Sequence, residues 1–98
     1  MTQDKFSGEN AFSPPAEGYA ELDARGLLCP EPVMMLHNKV KTVDAGCLIK
    51  VLATDASTLR DIPRFCEFLR HPLMHSETQG ADDKQEYVFW VQRRLETK

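Results

Sequence analysis

Gly26-Leu27-Leu28-Cys29-Pro30-Glu31-Pro32-Val33-Met34-Met35-Leu36-His37-Asn38-Lys39-Val40-Lys41-Thr42-Val43 changes character at Pro30. From there apolar residues fall at Val33, Leu36, Val40 and Val43, one face at helical period, so the spacing predicts a helix from Pro30 to Val43. Pro30 and Pro32 suit its first turn, where backbone N–H groups lack intrahelical partners. Cys29 then occupies the N-cap or lies next to it. Asp44-Ala45-Gly46 ends the helix, with glycine suited to the stop.

Upstream, Tyr19 to Ala24 alternates weakly and stops at Arg25-Gly26, the pattern of a short strand. Downstream, Cys47 to Ala53 is a strand rich in β-branched and aliphatic residues. Ser57 or Asp55 can cap a second helix, 58 to 70, whose apolar stripe is Leu59, Ile62, Cys66 and Leu69 with Phe65 beside it. Pro63 costs that helix an interior hydrogen bond and predicts an irregular first turn, and His71-Pro72 closes it. Leu73 to Ala81 and Glu86 to Arg94 read as two strands joined around Ala81-Asp82-Asp83-Lys84. The order βαβαββ predicts an α/β two-layer sandwich, a mixed four-stranded sheet with both helices on one face. Residues 1–18 hold two isolated phenylalanines, Phe6 and Phe12, too few to bury, and read as a flexible N-terminal tail. Residues 19–98 read as one domain.

Ninety-eight residues leave room for one core, and 42% hydrophobic with 28% charged residues is the make-up of an ordinary globular domain. A net charge of −3 argues against a dedicated nucleic-acid binder. No apolar run approaches a membrane span, and Met1 to Asn10 lacks the apolar core of a signal peptide, so the expected address is cytoplasmic. Three cysteines, Cys29, Cys47 and Cys66, form neither a disulfide framework nor zinc-finger spacing. If a thiol matters here, it matters singly.

Cys29 is the informative one. A thiol at a helix N-terminus faces unpaired N–H groups and the positive end of the helix dipole, and both favour negative charge on sulfur. Glu31 opposes this, so the expectation is a modestly reactive thiol. Pro32 stands where a dithiol motif would have its resolving cysteine, so sulfur placed on Cys29 would stay until a partner takes it. On the outward face of the same helix lie Glu31, Met34 and Met35. Methionine there suits a docking surface used by several partners, unless a neighbouring strand or the tail covers it.

The remaining candidates have plainer readings. Cys66 falls on an apolar stripe and reads as a buried small hydrophobe; Cys47 reads as core or edge packing. His71 and His75 have metal-ligand spacing, yet Pro72 and a strand between them break the helix needed to aim both rings, so no metal site is expected. Asp55 and Asp61 read as helix-capping or first-turn acids. If the second helix starts beside the first, Asp55, Arg60 and Asp61 lie near Cys29 and can tune it or meet a partner. Trp90 lies on the sheet face opposite Tyr87, Phe89 and Val91, either as an open contact site or partly covered. Arg93, Arg94 and Lys98 read as a solvated basic strand end.

Leu22 to Met35, with its Cys29-Pro30-Glu31-Pro32 centre, resembles the signature of the TusA (SirA-like) sulfur-carrier family. Asp55 to Cys66, with Asp61-Ile62-Pro63-Arg64-Phe65, resembles that family's second motif, and Glu77-Thr78-Gln79-Gly80 a third. The departures are Ala56 in place of a common proline, and Arg70 before His71 where many paralogues have glycine. The resemblance implies the same βαβαββ fold and a carrier without turnover of its own or a cofactor. It implies persulfide transfer to Cys29 from an IscS-like cysteine desulfurase. The onward route is a TusBCD-like relay for 2-thiolation of the wobble uridine of tRNA, with molybdenum cofactor supply and sulfur oxidation as other destinations. Stable direct binding of nucleic acid is not expected. The alternatives are an RNA-binding module or a thiol-based regulator on the same fold.

Overall fold

A computed structural model describes residues 12–80 and 84–95. Most of the expected tail, residues 81–83 of the expected turn, and Lys98 lie outside them. The elements are β1 (Ala20–Ala24), α1 (Glu31–Val40), β2 (Leu48–Ala53), α2 (Thr58–Leu69), β3 (Leu73–Gln79) and β4 (Glu86–Gln92). The four-stranded sheet has the order β1-β2-β4-β3. β1 and β2 are parallel, with Leu22 opposite Val51, while β4 pairs antiparallel with both β2 and β3. This is the expected βαβαββ sandwich.

Strand alternation sorts the side chains onto two faces. Leu22, Ile49, Val51, Tyr87, Phe89 and Val91 meet Leu36 and Val40 of α1 and Ile62, Phe65 and Cys66 of α2 in one buried cluster. Both helices therefore cover the same face. Leu59 departs from the expected stripe. It is 48% exposed, and Phe65 takes the core position instead. Pro63 does not break α2, which runs unbroken from Thr58. The carbonyl that Pro63 leaves without a donor belongs to exposed Leu59, where water can serve it.

α1 stops at Val40, three residues short of the expected end. Lys41 and Thr42 donate their N–H groups to Asn38 and Lys39, tightening the last turn. Arg93 donates to the carbonyls of Val40 and Val43, and Arg94 to that of Leu69. Arg93 is half-buried where a solvated end was expected, Arg94 stays exposed, and both satisfy carbonyls at or just past the helix C-termini, where cations also suit the dipole. Val43 still packs on the core, from the turn.

The opposite sheet face is also covered. Leu52, Val88 and Trp90 form a second buried cluster with Phe12, Tyr19 and Leu48 against it, and Trp90 is only 4% exposed. Of the two readings of Trp90, the covered one holds. Phe12, expected unburied, is partly buried.

α2 ends in a left-handed residue, Arg70, at φ 65°, with His71 N–H returning to the Cys66 carbonyl. This is the departure noted above, an arginine at a position whose backbone favours glycine. A side chain there costs roughly 1 kcal/mol that glycine avoids. Arg70→Gly should therefore raise the urea midpoint, by an amount on the order of 1 kcal/mol. Leu36→Ala, which empties a fully buried position, should cost about 2–5 kcal/mol in the same titration.

Candidate functional site

Because β1 and β2 run parallel, the loops leaving their C-terminal ends lie side by side, and both helices begin there. The loop after β1 carries Cys29; the loop after β2 carries Thr54 and Asp55. Contacts between the two loops fix the first. Gly26, in the left-handed region at φ 84°, donates its N–H to Thr54 Oγ1 at 2.9 Å. Arg25 is held by Asp23 at 2.8 Å and reaches Glu86 at 3.5 Å. Cys29 N–H donates to Asp55 Oδ2 at 2.7 Å.

Asp55 binds both loops at once. Its Oδ2 also accepts the Ser57 hydroxyl at 2.9 Å, and its Oδ1 the Ser57 N–H at 3.2 Å. The Asp55 carbonyl takes Thr58 N–H and the Thr58 hydroxyl. These N–H donors, that of Cys29 foremost, hold the Asp55 carboxyl below its ordinary 3.8.

The N-cap of α1 is Pro30, so Cys29 stands one residue before the cap, joined to Pro30 by a cis peptide bond. Its thiol donates to Asp61 Oδ2 at 3.4 Å. The other oxygen of Asp61 accepts from Arg60 Nε at 2.9 Å. The Arg60 guanidinium first, and the Cys29 thiol second, keep the Asp61 carboxyl below its usual range. Asp55, Arg60 and Asp61 are thus brought to Cys29, because α2 starts beside α1.

Glu31 is exposed on the first turn of α1, and Met34 and Met35 are 58% and 36% exposed. Sequence reasoning missed two neighbours. Leu28, directly before Cys29, is 69% exposed, and Leu59, in the first turn of α2, is open as well. The signal for Leu28 was available, since it is an apolar residue that belongs to no periodic stripe.

The other thiols differ in kind. Cys47 is partly buried and donates to the Leu48 carbonyl. Cys66 is buried, and burial pushes its thiol from 9.0 up to about 12. The two histidines face apart. His71 stacks on Phe65 on the helix side, its Nδ1 accepting the Arg94 N–H, while His75 stacks on Phe12 on the other face and pairs with Glu77. Among the described residues no three His, Cys, Asp or Glu side chains gather as metal ligands, and no helix is long and apolar enough to cross a membrane.

Fold and site together define a small βαβαββ protein that presents one exposed thiol, between two helix starts and beside two carboxylates. The profile of the family described as "Sulfurtransferase TusA" matches residues 20–93, and the chain belongs to that family. A protein of Pseudomonas syringae pv. syringae (strain B728a), named "Sulfur carrier protein TusA", is 52% identical over 75 residues, 76% of this chain and 84% of that protein. One of Pseudomonas paraeruginosa with the same name is 51% identical over 77 residues, 79% of this chain and 92% of its own length. The crystal structure of a SirA-like protein from Desulfitobacterium hafniense superimposes with a TM-score of 0.57 at 22% identity, covering 76% of this chain and 99% of that one, and shares the fold.

Two outcomes are expected. An alkylating reagent should modify Cys29 first and Cys66 only on unfolding, as read by peptide mass. Because the Asp55 carboxyl sits below 3.8 when folded, its contacts stabilise the fold above that pH. That contribution is lost as pH falls through the lowered value. Asp55→Ala should lower the urea midpoint at neutral pH and leave a shallower acid limb.

Proposed function

We propose that this chain is a sulfur carrier that holds sulfur on Cys29 as a persulfide. One observation carries the reading: of three cysteines, Cys29 alone is exposed, and it stands at the mouth of two helices with its thiol on a carboxylate. The family and the names of its relatives supply the class of cargo.

The transfer balances as two displacements. The Cys29 thiolate attacks the outer sulfur of a persulfide on a cysteine desulfurase. A new S–S bond forms as the donor's breaks, the donor leaves as thiolate, and the proton shed by Cys29 ends on it. An acceptor thiolate then attacks the outer sulfur on Cys29, which leaves as thiolate. Nothing is oxidised overall. Arg60, paired with Asp61, places a positive charge near the sulfur and offsets the two carboxylates. Glu31, Met34 and Met35 form the docking face, with Asp55, Arg60 and Asp61 as its second edge. The donor is an IscS-like desulfurase and the acceptor a TusBCD-like relay serving 2-thiolation of the wobble uridine of tRNA in the cytoplasm. The three cysteines, all free of disulfides, suit a reducing compartment.

Intact mass after incubation with a desulfurase and free cysteine tests this. The wild type should gain one sulfur atom, removed by reductant, and Cys29→Ser should gain none. Sulfur on Cys47 or Cys66 would overturn the site, and no gain with any desulfurase would overturn the function. Glu31→Lys and Arg60→Glu should slow loading several-fold while leaving alkylation of Cys29 by a small reagent unchanged. Equal loading would remove these residues from the docking face.

A further inference from the structure

The family match begins at residue 20, yet ordered chain precedes it. Phe12 stacks on His75, ring centroids 5.5 Å apart and planes within 16°, and tilts against Trp90 at 5.7 Å. Tyr19 meets Trp90 edge-on at 4.9 Å. Between them Pro14 and Pro15 line a groove with Val88, Gln79 and Trp90. Lys50 holds its ammonium over the Trp90 ring at 5.8 Å. On the far side from the helices, this segment leaves the tryptophan 4% exposed.

The sheet face beneath is an apolar surface of Leu52, Val88 and Trp90, with His75 beside the tryptophan and a cation and a carboxylate, Lys50 and Glu77, lining the same cleft. Such a surface suits an extended segment with aromatic anchors around a proline pair. Proline lowers the entropy lost on docking, and each aromatic ring brings a large apolar area with edge or stacked contacts. We propose that this face is a docking groove for an extended aromatic–proline segment, and that Phe12 to Tyr19 of this chain is its resident occupant, a strap that closes it in cis. The groove lies on the opposite face of the sheet from the two helices. It stands independently of sulfur transfer at Cys29.

Linkage sets how the strap behaves. A short tether gives it an effective concentration in the millimolar range, so a modest intrinsic affinity keeps the groove closed. Losing the Phe12 ring removes the stacked contact to His75 and the tilted contact to Trp90 and should open it.

Trp90 is the only tryptophan, so its fluorescence reports the groove directly. In the full chain, Phe12→Ala should shift the emission to longer wavelength and raise acrylamide quenching several-fold, with far-UV circular dichroism unchanged. A synthetic peptide of residues 10–18, added at millimolar concentration, should return the variant to wild-type emission and quenching. The same peptide with alanine at the Phe12 position should not. A Phe12→Ala chain with Trp90 as shielded as in the wild type would overturn the strap. Failure of the peptide to close the variant would overturn the groove as a docking site. Independently of any variant, the wild-type chain should give a nuclear Overhauser contact between the Phe12 and Trp90 rings, and its absence would also overturn the strap.

Discussion

The Asp55 carboxylate is the contact on which the site depends. It accepts the Cys29 N–H across one loop and the Ser57 N–H and hydroxyl across the other, so one charged group ties together the starts of both helices. Charge-assisted bonds of this kind are the strong ones, and their geometry is specific. Helix α1 has no side-chain cap of its own. Its entry is fixed from the neighbouring loop instead, and with it the position of the thiol. Parallel pairing of β1 and β2 makes this possible by bringing the two loops to one edge of the sheet.

The same fold gives three thiols three chemistries. Cys66 is buried on the core side of α2, and desolvation keeps it protonated to about 12. Cys47 is half-buried at the start of β2 and turned onto a backbone carbonyl. Cys29 stands free of the helices at their common mouth, with the Asp61–Arg60 pair beside it. Of the three free thiols it is the exposed one. Leu28 before the thiol, Met34 in the first turn of α1 and Leu59 in the first turn of α2 are exposed apolar residues.

Much of this was legible in the chain. Periodicity at Val33, Leu36 and Val40 placed α1, and alternation at Tyr87, Phe89 and Val91 assigned the faces of β4. The condition that α2 start beside α1 sufficed to collect Asp55, Arg60 and Asp61 at Cys29. Other features depend on tertiary contacts that no local pattern carries. Leu59 fits the apolar stripe of α2 by spacing, but it is exposed while Thr58 and Ile62 on either side of it are buried, and Phe65 fills the core. Arg93 and Arg94 look like a solvated end until the C-terminal carbonyls of both helices come within their reach. Phe12 lies in a stretch whose composition signals a tail, and only Trp90 and His75, brought together by the pairing of β3 and β4, give its ring a place.

The most direct test of the account follows the backbone amide of Cys29 by nuclear magnetic resonance as pH is lowered. If Asp55 holds that N–H, the Cys29 amide shifts downfield at neutral pH and moves as the carboxyl protonates, with a midpoint below the ordinary 3.8. In Asp55→Asn that transition disappears. A Cys29 amide indifferent to pH, or unchanged by the substitution, would contradict the claim that this carboxylate sets the thiol in place.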